Sequence, residues 1–398
     1  MRYSAFCITG FVAAIAASST GDGPPPHNQG RYSIPFEKRA TPIGKKLAVR
    51  GNTGDLPTVP QQWWMRMYVG TPPQELYILP DTGSGDFTIE SDLMDPSIRG
   101  TGPIYSPGSS SSSFQVQGYT YSECYGSGYC DSGVVYTDVV TLGSLAVPGV
   151  PIQVENNATD RGGSDTGNVG LSFGTPQAAD PRGVSGFLWS IRSSLDAGVF
   201  TVEYDESSNA GVFEFGYVNP SKFTGDMAYA PLDTSSQSGG EWITSFSGFI
   251  ANGTFWVYSW KVILDTGTGG SSVPRLLADY YFSQVPGHQW NADWNQYQYP
   301  CSEQLPDLII GIGSDAKFTI PGHSLFALSL DGTNCLSKLG VGDDGVYMFG
   351  ENLMETLFIV FDFDNAQMGF GQKATSGSSP GTGITPPLPA PEHAGSVS

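Results

Sequence analysis

Three observations predict a mostly β chain built as two similar lobes. Glycine (52) and proline (29) recur along the whole length and interrupt long helices, while frequent Tyr, Phe, Val and Thr favour short strands and tight turns. The 398 residues exceed one compact domain and suffice for two with sizeable cores. A seven-residue segment also repeats: Ile78-Leu79-Pro80-Asp81-Thr82-Gly83-Ser84 returns as Val262-Ile263-Leu264-Asp265-Thr266-Gly267-Thr268. Hydrophobic residues make up 39% and charged residues 14%, which excludes a charge-rich disordered polymer and a coiled coil. The formal charge of −20 repels phosphate backbones and anionic lipid headgroups, so nucleic acid is excluded as a partner.

In chain order, Arg2 and the apolar stretch Ala5 to Ala17, closed by small residues, predict a secretory signal peptide over residues 1–18. Residues 19–55 are Pro- and Gly-rich and basic, with Lys38-Arg39, Lys45-Lys46 and Arg50 as candidate processing sites, and predict a propeptide. The first 50 residues carry a net +5 and the rest −25, so the leader is attracted to the body it precedes. Residues 56–230 and 231–373 then form the two expected lobes, and residues 374–398, rich in Ser, Gly and Pro, the expected disordered tail. No later apolar run is long enough to span a bilayer, and the tail lacks the apolar end of a lipid-anchor signal, so no membrane anchor is expected. The predicted product is secreted, extracellular and monomeric.

Each copy of the repeat is an apolar run that reads as a buried strand, ending in Asp-Thr-Gly where glycine permits a turn that a side chain would obstruct. An apolar-Gly pair follows each aspartate at nearly equal distance: Val169-Gly170 ends 89 residues after Asp81, and Phe349-Gly350 ends 85 after Asp265. One Asp-Thr-Gly is a weak signal in a Gly-rich chain, but two with matching lead-ins and matching partners are not a turn coincidence. With Cys7 removed in the signal, Cys124, Cys130, Cys301 and Cys335 remain, an even number in an oxidising route. Proximity pairs Cys124 with Cys130 and Cys301 with Cys335; a metal site competes poorly, because the pairs lie in separate halves with no histidine near either in sequence. Neither metal nor cofactor is expected. Asn157-Ala158-Thr159 and Asn252-Gly253-Thr254 are acceptor sequons for N-glycosylation.

At these residues the chain resembles the pepsin-like aspartic proteases, over about residues 58 to 373. Tyr68-Val69-Gly70-Thr71-Pro72-Pro73-Gln74 is similar to the family's first-strand motif, and Phe358-Ile359-Val360-Phe361-Asp362 through Gly369-Phe370 to its closing strands. The resemblance implies a bilobal all-β fold with the active site in the cleft between the lobes, and Asp81 and Asp265 as the catalytic pair. It implies that Thr82 and Thr266 bond across to the opposite lobe, that Gly83 and Gly267 let backbone approach the carboxylates, and that Ser84 and Thr268 bond their outer oxygens. Tyr125-Gly126-Ser127 resembles the tip of the substrate-covering flap, with Tyr121 and Tyr129 as competing tyrosines, and Cys301 and Cys335 fall where the family commonly bridges its second lobe. Three positions depart from the pattern: Thr88 stands where many members carry tryptophan, Asn168 replaces an aliphatic residue, and Cys124 with Cys130 brackets the flap.

The implied chemistry needs no covalent intermediate. Two like charges roughly 3 Å apart cannot both ionise, so such a pair shares a proton at acidic pH, one member serving as base toward water and the other as acid toward the peptide carbonyl. The expected function is a secreted acid endopeptidase made as a zymogen, whose partners are protein or peptide substrates, its own propeptide and pepstatin-type inhibitors. A catalytically silent relative using the cleft for binding is the alternative, countered by two intact triplets. A sugar-binding β protein fits the composition but leaves the repeat unexplained. The four histidines supply no Ser-His-Asp constellation: His27 lies in the leader, His393 in the tail, and His288 and His323 have no nucleophile motif nearby.

Overall fold

A computed structural model describes residues 30–40 and 61–384, apart from 126–129, 160–165, 175, 206–207, 235–239, 252, 293, 343–344 and 376. The expected signal peptide therefore lies outside the described residues. The first strand, β1 (Tyr32–Ala40), comes from the basic leader and pairs antiparallel with β2 (Gln61–Val69) on one side and with the strand Ala210–Phe215 on the other. Its Ile34 and Phe36 are buried, Phe36 packing edge-on against Trp63 and Tyr204. Charge alone does not hold the leader, because a central strand position secures it through backbone bonds and apolar burial.

β2 turns back into β3 (Gln74–Asp81), where Leu76, Ile78 and Pro80 are buried and Glu75 is exposed, the period of two expected of a strand. Then follow β4 (Phe87–Ile89), β5 (Phe114–Cys124), β6 (Cys130–Leu142), β7 (Leu145–Ala158) and β8 (Gly167–Gly170). All eight belong to one 14-stranded sheet that also takes in strands from the chain's end: Val199–Asp205 pairs with Leu357–Asp362, and Phe223–Pro231 with Gln367–Lys373. Two further five-stranded sheets are formed by residues of the second half. The all-β, two-part architecture is the expected one, with the closing strands of the second half inserted into the sheet of the first.

Aromatic residues weld the halves where the site will sit. Phe200 and Phe361 stack with centroids 4.5 Å apart, and the fully buried Trp242 packs edge-on to both. Such a side chain contributes about 2–3 kcal/mol through burial alone. Its indole N–H also donates to Leu171 C=O at 2.7 Å, directly after β8.

The tail differs from expectation in its first part. Within 374–384, Gly381 N–H bonds Pro220 C=O, Thr382 N–H bonds Gly225 C=O, and Met227 N–H returns to Thr382 C=O. Gly381 lies against Phe223 so closely that a Cβ would come within 2.0 Å of its ring, and Ile384 joins a small core with Phe223, Met227 and Phe358. Low hydrophobicity predicts disorder only where a segment has nothing to dock on; here one isoleucine and four backbone bonds, the fourth from Ala374 N–H to Lys222 C=O, hold the segment. Residues 385–398 lie outside the described residues.

Candidate active site

Each aspartate ends a strand whose preceding residues are apolar and buried, and each strand runs parallel to a short partner ending in glycine. Asp81 is in register with Gly170 on β8, and Asp265, at the end of Thr254–Asp265, with Gly350 on the strand Val346–Gly350. The apolar-Gly pairs read from the sequence are thus the matching supports of the two loops. Side chains have no room there: a Cβ on Gly170 would sit 2.4 Å from the carbonyl carbon of Gly85, and one on Gly350 2.0 Å from Gly270 O.

The loops lock into each other through their threonines. Thr82 N–H donates to Thr266 Oγ1 at 3.0 Å, and Thr266 N–H to Thr82 Oγ1 at 2.9 Å. Each hydroxyl donates onward across the interface, Thr82 to Leu264 C=O (2.7 Å) and Thr266 to Pro80 C=O (2.6 Å). Both threonines are buried, so all four groups would be costly to leave unpaired. Gly83 and Gly267 bring the opposing carboxyls close: a Cβ on Gly83 would lie 2.5 Å from Asp265 Cγ, and one on Gly267 2.6 Å from Asp81 Oδ1.

Within each loop the carboxylate receives two donors. Gly83 N–H donates to Asp81 Oδ1 (2.8 Å) and Ser84 Oγ to Asp81 Oδ2 (2.5 Å). Gly267 N–H donates to Asp265 Oδ1 (2.8 Å) and Thr268 Oγ1 to Asp265 Oδ2 (3.0 Å). Burial, then the neighbouring Asp81 charge and a hydrogen bond with it, push Asp265 well above the ordinary carboxyl range, outweighing its own two donors. A pair so placed keeps a proton where an isolated aspartate has lost it, and carries a base and an acid side by side.

β5 and β6 form a hairpin closed by a Cys124–Cys130 disulfide, and Tyr125 directly follows β5; Gly126, Ser127 and Tyr129 lie outside the described residues. Tyr121 is buried, its ring packed against Gly133, its partner on β6. With Thr88 in place of tryptophan, the Tyr125 hydroxyl donates to Asn168 Oδ1 at 3.4 Å. Asn168 faces Thr88 across the antiparallel pair of β4 and β8, and Thr88 Oγ1 donates to the same oxygen at 2.8 Å.

Cys301–Cys335 is the second disulfide. Asn157 is exposed at the end of β7, while Asn252 falls outside the described residues. His288 bonds Val285 C=O through its ring, a structural contact. Among the described residues no group of three or more His, Cys, Asp or Glu side chains is placed to hold a metal ion. Sequence reading missed two supports of the second loop: Ser271 Oγ accepts from Gly350 N–H and Ser272 Oγ from Met348 N–H, both at 2.9 Å. The available signal was positional, since Thr88 and Ser272 are hydroxyl residues at the same offset from their aspartates.

The family model for eukaryotic aspartyl protease matches residues 62–373. Podosporapepsin of Podospora anserina is 34% identical, over 77% of this chain and 72% of its own length. Penicillopepsin-1 of Penicillium janthinellum is 31% identical over 74% of this chain and 90% of its own length, and endothiapepsin of Cryphonectria parasitica 31% identical over 77% and 74%.

Proposed function

This chain belongs to the eukaryotic aspartyl protease family and is an aspartic endopeptidase, and from that premise we propose that Asp81 and Asp265 are its catalytic pair, working at acidic pH in a secreted enzyme made as a zymogen. One observation carries the reading: two Asp-Thr-Gly loops in identical register, interlocked by their threonines, set two carboxyls against each other with a raised proton affinity on the more buried one.

In the proposed reaction the ionised member takes a proton from water as its oxygen attacks the peptide carbonyl carbon, and the protonated member donates to the carbonyl oxygen. The tetrahedral intermediate then collapses: a gem-diol hydroxyl gives its proton to the carboxylate that had protonated the carbonyl oxygen, the carboxyl that had taken the water proton passes it to the amide nitrogen, and the C–N bond breaks. Ser84 and Thr268 hold the carboxyls by their outer oxygens, and Tyr125, with Gly126 and Ser127, covers the bound peptide.

Secretion is supported by the basic-then-apolar N-terminus and by two disulfides, which persist in oxidising compartments. No helix among the described residues is long and apolar enough to cross a membrane. Residues 19–55 act as the propeptide, Asn157 and Asn252 accept glycans, and the mature enzyme is a monomer spanning lobes 56–230 and 231–373. Incubation of the secreted protein with denatured haemoglobin or casein at acidic pH, with and without pepstatin, tests the reading. Pepstatin-sensitive cleavage supports it, and absence of cleavage favours the silent binding relative.

A further inference from the structure

Asn168 sits at the centre of a polar chain that neither loop requires. Its side chain is only 8% exposed, and all of its bonding capacity in the site is directed at four named groups. Nδ2 donates to Asp81 Oδ2 (3.2 Å) and to Ser84 Oγ (3.1 Å), while Oδ1 accepts from Thr88 Oγ1 (2.8 Å) and Tyr125 OH (3.4 Å). Chemistry fixes the orientation of the amide: the opposite one would turn a carbonyl oxygen toward a carboxylate oxygen, whereas this one gives the carboxylate a donor. Ser84 donates its own proton to the same carboxylate oxygen, so Asn168 also orients that hydroxyl.

We propose that Asn168 is a positioning residue for the dyad: anchored by Thr88 and Tyr125, it holds the outer oxygen of Asp81 in place. This inference rests on the proposed catalytic role of Asp81 and Asp265. A neutral donor aimed at a carboxylate favours its charged form, so the amide helps the pair to keep one ionised member as the medium becomes more acidic. Tyr125 bonds the same Oδ1 as Thr88 and so stiffens the amide against rotation. The titratable groups facing this amide are few. Asp81 lies on β3, Asp265 across the interface and Tyr125 on the flap. Asp86, the next carboxyl along the loop, is occupied by Gln153 Nε2 and the N–H groups of Gln177 and Ala178. Tyr204, with Glu351 and Glu355, lies on the Asp265 side.

The test is the pH profile of kcat/KM for peptide cleavage by the processed enzyme carrying Asn168→Leu, a change that keeps side-chain volume and removes the donor. The acidic limb, which reports the last ionised carboxyl of the pair, is expected to move up by about one pH unit, with a kcat/KM loss of about tenfold at the parent optimum. Asn168→Asp, which adds a charge beside Asp81, is expected to move the limb further the same way. Tyr125→Phe should cost less in the Asn168→Leu background than in the parent, because the two act in series. If Asn168→Leu fails to fold, Thr88→Val, which frees the amide to rotate, carries the same test with a smaller shift. An unmoved acidic limb in the folded variant, or additive Tyr125 and Asn168 effects, overturns the proposal while a dead Asp81→Asn leaves the dyad standing. A parent enzyme without peptidase activity, or an active Asp81→Asn, overturns the underlying reading instead.

Discussion

The two Asp-Thr-Gly loops share a register and differ in their surroundings. At the position of β8 two residues before the supporting glycine stands Asn168, and at the equivalent position before Gly350 stands Met348. In the first loop the hydroxyl at the equivalent offset, Thr88, bonds a side-chain amide that reaches the carboxylate; in the second, Ser272 bonds the backbone N–H of Met348 and reaches no further. Asp81 is half-buried, and Asp265 is buried. The repeat therefore builds a symmetric clamp, and the neighbours make the pair unequal: Asp81 has Asn168 as a third donor, while burial and the neighbouring charge push Asp265 upward.

The comparison breaks first at the carboxyls themselves. Asp81→Asn and Asp265→Asn should each lower kcat by roughly 10³-fold or more, with unchanged circular dichroism, because acid and base are both required. Substantial activity in either variant would mean that the symmetric clamp is not the catalytic unit. Gly83→Ala and Gly267→Ala come next, since each new Cβ falls on the opposing carboxyl, at 2.5 Å from Asp265 Cγ and 2.6 Å from Asp81 Oδ1 respectively. We expect kcat to fall about 10²-fold in both, as misplacement of a reacting group does. Steady-state kinetics showing one tolerated and the other not would locate slack in one loop.

Thr82→Ala and Thr266→Ala each remove two buried interlocking bonds and should destabilise the enzyme by about 2–4 kcal/mol in denaturant titration. Equal losses sharpen the symmetry; each change removes a different two of the four bonds, and because these lie side by side in one interface the double variant should depart from the sum. The inequality appears in the dependence of stability on pH. The raised Asp265 carboxyl retains in the folded protein a proton that the unfolded chain, at the ordinary value of 3.8, has lost. Its contribution to stability is thus fully present below that value and disappears as pH rises through the folded one. Melting temperature should fall from acidic toward neutral pH, and Asp265→Asn should flatten that fall. An unaltered slope would place the asymmetry elsewhere. Smallest is the flap: replacing Cys124 and Cys130 by serine should cost about 2 kcal/mol or less, since the bridge closes a short loop, while lowering kcat/KM through a looser flap. Added salt at neutral pH should not release the leader, because β1 is held by pairing and burial that screening leaves intact. Gel analysis showing release would return that role to charge.

The repeat made the two Asp-Thr-Gly loops and their threonines legible without coordinates, because a duplicated strand-turn carries its pattern in seven adjacent residues; Gly170 and Gly350 were legible because they follow their aspartates at the nearly equal distances of 89 and 85 residues. Cysteine pairing was legible for a related reason: four cysteines in two well-separated groups leave proximity to choose. What only the tertiary structure decided involves residues far apart in sequence whose meeting depends on strand register. Asn168 and Thr88 are 80 positions apart, and Asn168 and Tyr125 are 43 apart, and each is unremarkable alone. The pairing of β8 with both β3 and β4 brings them beside Asp81. The leader's strand and the docked start of the tail follow the same rule, since whether a polar, glycine-rich segment is ordered depends on the open edge or apolar surface that meets it, and local composition does not encode that surface.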